Sequence, residues 1–442
     1  MSRLRSFLDT HSWAAPLAVV VAAAVLHAHF FLEAPGARFR WDSYEYLASA
    51  RNLAAGNGFR DLHGAVEARR TPGYPLVVAA FLKAGLGITA LVFAQHVAAV
   101  LLALLVYALT LRLAGDRLSA LAAGLFVGID AGQVYMANHV MTETAMSVLL
   151  IALIAALARF AHRQSMAPLI VGGLLLAVSV MVRPAAIYLW IPLAVWVLLI
   201  ADRKRVLAAS VFALCAVSLP ALWMWRNYER AGVPAVSAIV GEDLYYWRAA
   251  GAVAMQRTGF EFHPLPFNGE EEFRRQFFHI QQHDFVRNAQ AFHARVLGSR
   301  APVATQAELS ELDGRIARKI LLSHMQGAIL MSINGALHLI FDAMWEYPNA
   351  LYGGLTRNAL DVLFFVNSVA AFFLMAVGFR RLLRVDAAVA SLIAVTLIYF
   401  VVVLSGPEHE QWRYRVPLIP VAAILVGCSF LRVSSSTQAH TT

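Results

Sequence analysis

Long apolar runs recur along this chain, separated by short polar pieces and by one long, mostly polar insertion. Runs of roughly 17–25 apolar residues are the length of helices that cross a bilayer. Those at 13–32, 88–111, 118–136, 143–161, 167–183, 185–201, 206–225, 359–381, 386–404 and 416–432 predict ten crossings in an all-α polytopic membrane protein. The first run follows Ser2-Arg3-Leu4-Arg5 and ends in Phe30-Phe31-Leu32-Glu33-Ala34-Pro35. It is too long for a signal-peptide core and has no small-residue cleavage site, so it reads as an uncleaved span.

Shorter and interrupted runs need separate readings. Residues 72–87 are apolar but start with Pro72, Gly73 and Pro75, and read as a surface or dipping helix. The spans 167–183 and 185–201 meet at Arg183-Pro184, where proline breaks the helix and leaves Arg183 near membrane depth. Thr305-Gln306-Ala307-Glu308 has capping-box spacing and starts a long helix to about residue 341. Its later half is apolar but carries Ser323, His324, Gln326, Asn334 and His338, so it is expected to lie along the membrane surface. The chain thus divides into an N-terminal membrane module (1–225) with an outer first loop (33–87), an outer insertion (226–358) and C-terminal membrane helices (359–442). The tail from Ser434 to Thr442 is polar and is expected to be disordered.

Composition supports this division. The 442 residues are 60% hydrophobic and 14% charged, with mean hydropathy +0.62. Net charge is +9, almost entirely from arginine. In a polytopic protein such a balance reflects basic inner loops and anionic lipid, and no nucleic-acid partner is expected. Arg3/Arg5, Arg112/Arg117, Arg159/Arg163, Arg203-Lys204-Arg205 and Arg380/Arg381/Arg384 fall on one side, which the positive-inside rule makes cytoplasmic. The first outer loop breaks that rule with Arg38, Arg40, Arg51, Arg60, Arg69 and Arg70, and an anionic ligand is one reason to keep them there. Cys215 and Cys428 both lie in apolar runs, which argues against a disulfide framework or thiolate metal site.

The polar clusters at the outer ends of the spans carry the candidate chemistry. Asp42 stands in Trp41-Asp42-Ser43-Tyr44-Glu45-Tyr46, just past the first span. It can cap a helix, accept a proton from an attacking hydroxyl, or both. Arg69-Arg70 precede Thr71-Pro72-Gly73-Tyr74-Pro75; they form either a solvated basic turn or a fork for a phosphate. Glu143, in His139-Val140-Met141-Thr142-Glu143, is either an acid favoured by a helix N-terminus or a second acidic group facing Asp42. Trp225-Arg226-Asn227-Tyr228 is adequately explained as an interfacial anchor. In the last outer loop Glu408, His409 and Glu410 are adjacent, and adjacent residues rarely converge on one ion. Arg413 and Arg415 are better placed to hold a lipid phosphate. No nucleotide loop, dinucleotide fingerprint, zinc-protease or serine-hydrolase motif has a supporting context.

The order of five stretches resembles the GT-C glycosyltransferases, in the branch of protein O-mannosyltransferases and aminoarabinose transferases (glycosyltransferase families 39 and 83). They are Asp42-Ser-Tyr-Glu-Tyr with Ala48, Asn52-Leu53 and Gly56; Arg70-Thr-Pro-Gly-Tyr-Pro; Met141-Thr-Glu-Thr; Val182-Arg-Pro with Leu219-Pro-Ala-Leu-Trp-Met-Trp-Arg-Asn-Tyr, Gly232, Ser237 and Leu244-Tyr245; and Arg413-Tyr-Arg-Val-Pro-Leu-Ile-Pro. The resemblance implies a GT-C-like bundle of about ten transmembrane helices with periplasmic juxtamembrane helices, one of them at 305–341. It implies an inverting transfer of a sugar from a polyprenyl-phosphate donor to an acceptor hydroxyl of a lipid, glycan or protein, on the periplasmic face of a bacterial inner membrane.

It assigns the catalytic acid to Asp42 and carrier-phosphate contact to Arg70, and puts Glu143 near donor or acceptor. The expected site is therefore catalytic Asp42 and Glu143, with Tyr44, Tyr46, Arg69, Arg70, Tyr74, His139, Arg183, Arg226, Glu410, Arg413 and Arg415 binding substrate. Arg70 replaces the family's more usual lysine, and Thr71 stands where a first proline is common. The chain stops soon after its tenth span, which argues against an oligosaccharyltransferase; no metal and no cofactor are expected. The rival reading is a lipid or solute transporter or flippase, which predicts inverted repeats; none is evident.

Overall fold

The computed structural model describes residues 2–36, 38–258, 306–341, 356–406 and 411–432. Among them the architecture is helical throughout, apart from one isolated bridge between Arg60 and Val66 in the first outer loop. The N-terminal module contains α1 (Ser2–Thr10), α2 (Ala14–Glu33), α3 (Trp41–Ala54), α4 (Gly73–Lys83), α5 (Gly87–Ala114), α6 (Arg117–Gly128) and α7 (Ala131–Ala137). It continues through α8 (Glu143–Arg163), α9 (Met166–Val182), α10 (Trp190–Ile200) and α11 (Arg205–Ala231). A short α12 (Ile239–Glu242), a π-helical stretch (Asp243–Ala249) and α13 (Ala250–Thr258) follow, then α14 (Gln306–Ser323) and α15 (Met325–Phe341). The C-terminal part is α16 (Arg357–Val385), α17 (Ala387–Leu404), α18 (Gln411–Arg415) and α19 (Ile419–Cys428).

Among the described residues six helices are long and apolar enough to cross a membrane: α2, α5, α8, α11, α16 and α17. The number rises to eight if two bent pairs each count as one span, and α4, α9 and α10 are shorter apolar helices. The run at 118–136 is one of those pairs, bent by 48° between α6 and α7. The bend has a local cause. Asp130 accepts a hydrogen bond from Gln133 N–H (2.8 Å) and so starts a new helix after Gly128-Ile129. The runs at 167–183 and 185–201 form the shorter helices α9 and α10 on either side of a 3-10 turn at Pro184–Ala186, as the proline predicts.

The expected single helix at 305–341 is also corrected. It breaks between Ser323 and Met325, and α14 and α15 meet at 100°. Thr305, its expected cap, lies outside the described residues, as does the tail from Ser434.

The last apolar run behaves unlike a lipid-facing span. Helix α19 is ten residues long, and all but its first residue are buried. It packs between α5, α6, α8 and α16. Small residues allow that approach, because a Cβ on Gly427 would collide with Ser119 of α6 and one on Gly378 with Leu425 of α19. The main core gathers around it, with Leu150, Ile154, Leu157, Phe160, Phe212, Ile393 and Ile424 all fully buried. Outer faces such as Leu214 and Phe373 remain exposed, as a lipid-facing surface requires.

A second, smaller core lies under the first outer loop. Tyr46, Leu47 and Ala50 of α3 pack on Tyr74, Val78 and Ala79 of α4 and on Val140 and Met141. This seats α3 and α4 against the end of the bundle. Gly73 at the start of α4 fixes how closely, because a Cβ there would stand 2.6 Å from the carbonyl oxygen of Met181. The turn carrying Arg69 and Arg70 is thereby held beside the end of α9, where Arg183 follows.

Candidate functional site

Side chains from six parts of the chain meet at this end of the bundle in one row of alternating charge. Arg183, just past α9, donates to Oε1 of Glu143 at the start of α8 (2.9 Å). Arg413 of α18 donates through Nε to that same oxygen (2.7 Å) and through Nη2 to Oδ2 of Asp42 (2.5 Å). Arg70 donates to Oδ1 of Asp42 (2.8 Å) and, through Nε, to Glu45. Arg69 pairs with Glu45 (3.5 Å) and with Glu242 of α12 (2.8 Å). Four arginines thus alternate with four carboxylates, and Asp42 lies near the middle.

The row also runs from inside to outside. The side chain of Glu143 is 0% exposed, that of Asp42 22% and that of Glu242 38%. Aromatic faces support the cations. Arg70 lies over Tyr46 (5.3 Å to the ring centre), and Arg183 (5.0 Å) and Arg413 (5.5 Å) lie over Tyr414.

Asp42 does not cap α3. Arg40 precedes the helix, and the side chain of Ser43 accepts the Arg40 backbone N–H (2.9 Å). Asp42 sits in the first turn, where the helix dipole favours an anion, and both of its oxygens are engaged by arginine. Burial alone pushes its carboxyl up, but Arg413 and then Arg70, with a smaller contribution from Arg183, outweigh burial and hold it well below the usual carboxylate range.

The other expected site residues divide clearly. Tyr46 belongs to the row through Arg70. Tyr44 is exposed and stacks on Phe39 (5.9 Å between ring centres). Tyr74 is buried and donates to Gln95 (2.6 Å), which in turn donates to the carbonyls of Ala137 and His139. The His139 ring is buried against Tyr135, with Nδ1 2.7 Å from the Tyr135 carbonyl. These contacts hold the loop between α7 and α8.

Arg226 donates to the carbonyls of Glu67 (2.6 Å) and Phe59 (3.3 Å), clasping the first outer loop to α11. Arg415 donates to the carbonyl of Ile340 (2.7 Å) at the end of α15, where the last carbonyls lack helical partners. Neither of these arginines joins the Asp42 row. Glu410 lies outside the described residues.

Three acids in and beside the row were not singled out from sequence. Glu45 stands one helical turn after Asp42, and that three-residue spacing is the signal for it. Glu242 comes from beyond α11 and has no local signal. Glu67 is buried at 3% exposure and bonds the backbone of the arginine turn. No group of three or more metal-ligating side chains is present among the described residues.

Residues 69–225 match the family model of dolichyl-phosphate-mannose-protein mannosyltransferases. No curated protein matches the sequence. Among solved structures, the chain is similar to the archaeal oligosaccharyltransferase AglB from Archaeoglobus fulgidus, in complex with an inhibitory peptide and a dolichol-phosphate. That likeness has 14% identity and TM-score 0.49, over 95% of this chain and 50% of that one. The chain therefore spans about half the length of that enzyme. It is also similar to ArnT from Cupriavidus metallidurans bound to undecaprenyl phosphate, with 14% identity and TM-score 0.44, over 95% of this chain and 79% of that one. The family match begins at the arginine turn and runs through Glu143 and Arg183.

Proposed function

We propose that the chain transfers a sugar from a polyprenyl-phosphate donor to an acceptor hydroxyl at the outer face of the membrane. The observation that carries this reading is the double engagement of Asp42 by Arg70 and Arg413. A carboxylate and two guanidinium forks meet at the end of a membrane bundle, where the headgroup of a lipid carrier would arrive. Orientation is supported by Arg5, Arg117, Arg205 and Arg381, which cluster at the opposite end, as a cytoplasmic surface would have them.

The row is balanced in charge, so an anionic donor joins it by exchange. The donor phosphate takes over arginine hydrogen bonds that Asp42 holds. Arginine forks suit phosphate oxygens as well as carboxylates. Released from one or both arginines, Asp42 regains basicity and faces the acceptor hydroxyl.

The acceptor oxygen attacks the anomeric carbon as its proton passes to Asp42. The bond from that carbon to the phosphate oxygen breaks, and its electron pair stays on the departing polyprenyl phosphate. Arg70 and Arg413 stabilise the charge that develops there. A single displacement inverts the anomeric centre.

Glu143 shares one oxygen between Arg183 and Arg413 and is fully buried. We assign it to aiming Arg413, with no contact to substrate. Asp42→Asn keeps the shape of the side chain and removes the proton acceptor. Its turnover in proteoliposomes, with a panel of polyprenyl-phosphate sugars and a membrane extract as acceptor source, is expected to fall by about 10²–10⁴-fold. Near-normal turnover by this variant would remove Asp42 from the role. Movement of lipid across the bilayer, with no donor consumed, would replace the transferase by a transporter.

A further inference from the structure

Glu67 is an unusual carboxylate for this neighbourhood. It is buried, it lies two and three residues before a pair of arginines, and Arg226 donates to its carbonyl. Yet its side chain forms no ion pair among the described residues. Its Oε1 instead accepts the backbone N–H groups of Arg69 (2.6 Å) and Arg70 (3.0 Å). Its Oε2 accepts from the hydroxyl of Ser49 (3.3 Å), which is itself fully buried.

Ser49 belongs to α3. Asp42, Glu45 and Ser49 are spaced three and four residues apart, so they form one stripe of that helix. Each meets the loop opposite: Asp42 meets Arg70, Glu45 meets Arg70 and Arg69, and Ser49 meets Glu67. The last of these contacts ties the turn's backbone to the helix that carries the candidate base.

The turn is held from its other side as well. Ser237 donates to the Arg69 carbonyl (2.5 Å) and Ala238 N–H to the Ala68 carbonyl (2.9 Å). With both neighbouring carbonyls occupied, the two N–H groups are the remaining freedom of the turn, and Glu67 takes both.

We infer that Glu67 is the positioning residue for the phosphate-binding arginine turn. Its carboxylate bridges Ser49 to two successive backbone N–H groups and so sets the angle at which Arg70 meets the carrier phosphate. This rests on the proposed polyprenyl-phosphate reading and adds a residue that touches no substrate. Geometry, and not charge, is what the role requires. Glutamine has the same reach: its carbonyl oxygen accepts both N–H groups and its amide donates to the Ser49 hydroxyl. Aspartate keeps the charge but is one methylene too short to span the gap.

The test is the affinity of the purified full-length chain in nanodiscs for undecaprenyl phosphate, which needs no knowledge of the sugar. Wild type is expected to bind and Glu67→Gln to stay within about threefold of it, while Glu67→Asp and Glu67→Ala weaken binding by about tenfold or more. Both losses are expected to vanish in an Arg70→Ala background, because a residue that acts through Arg70 has nothing left to position. If Glu67→Ala does not fold, the Gln and Asp pair decides the matter alone.

Wild-type binding with Glu67→Asp unimpaired overturns the inference and leaves the carrier reading standing. So does a loss of full size in the Arg70→Ala background, which marks a general structural role. Failure of the wild type to bind overturns the carrier reading, and the inference with it.

Discussion

The two ends of the bundle use arginine differently. At the site end Arg69, Arg70, Arg183 and Arg413 all meet carboxylates. At the other end Arg381 donates to the carbonyls of Ser429 and Leu431 (the latter at 2.9 Å), just beyond α19. Arg5 donates to the carbonyl of Phe430 and Arg205 to that of Ala201 (2.7 Å) at the end of α10, while Arg5 also pairs with Asp116 (3.4 Å) and Arg117 with Asp9 (3.3 Å) in separate two-residue contacts. Carbonyls past the last turn of a helix lack intrahelical partners, so these arginines complete the helix ends. A neutral carbonyl offers no charge to trade. Carboxylate partners do, and under the proposed function an arriving phosphate competes with them. At the site end four such arginines run in one row through Asp42, and there the cations can change partners.

Substituting one arginine at each end gives the sharpest break in that comparison. Arg413→Ala leaves buried Glu143 with Arg183 alone and, on the proposed function, removes a donor to the leaving phosphate. Transfer is expected to drop by about 10²–10³-fold, with a stability loss of about 3–5 kcal/mol for a broken buried pair. Arg381→Ala is expected to leave turnover unchanged and to lower stability by about 1–3 kcal/mol. Donor turnover and thermal unfolding, measured side by side, check both; equal losses of turnover would erase the distinction between the ends.

A smaller effect is expected from Gly73→Ala. The added Cβ meets the Met181 backbone at 2.6 Å and moves the arginine turn away from α9. Displacement on the ångström scale lowers turnover by up to about 10²-fold without touching a charge. The same substitution at exposed Gly36, which has open space around it, is expected to do nothing measurable to turnover.

The smallest effect concerns Glu67. Burial holds its carboxyl above the usual range, against the opposing hydrogen bonds from Arg70 and Arg69 N–H. The folded chain therefore binds this proton more tightly than the unfolded chain. The group's stabilising contribution is full below the ordinary glutamate value and is lost as pH rises through the raised folded value. Glu67→Gln has no such proton, so its unfolding temperature is expected to decline less than that of wild type from about pH 4.5 upward. Parallel curves would place the carboxylate in a fully solvated setting.

The sequence made the apolar runs plain, along with Asp42, Arg70, Glu143, Arg183 and Arg413 as charged groups at their outer ends. It was silent on which arginines would converge. Arg413 and Arg415 look equivalent as letters, but side chains two apart on a helix do not face the same way. One reaches Asp42 and the other the end of α15. Arg226 reads as an interfacial anchor, and its partners prove to be loop carbonyls.

The number of spans was less legible for a different reason. Hydropathy measures how apolar a run is and not whether lipid or protein surrounds it. Helix α19 is as apolar as a span, yet it is short and enclosed by other helices. Glu67 left no trace because its partners are backbone N–H groups, which every residue other than proline possesses.

The bond between Arg413 and Asp42 joins residues 371 positions apart. Chains are synthesised and inserted from the N-terminus, so Asp42, Arg70, Glu143 and Arg183 are in place while the ribosome is still far from α18. Until then Glu143 has one arginine instead of two, and Asp42 has a free oxygen. A chain interrupted before its final helices would hold the acid and the arginine turn without the cation that links them. Arg413 is thus the last member of the row to be made, and the row stays incomplete until α18 has been synthesised.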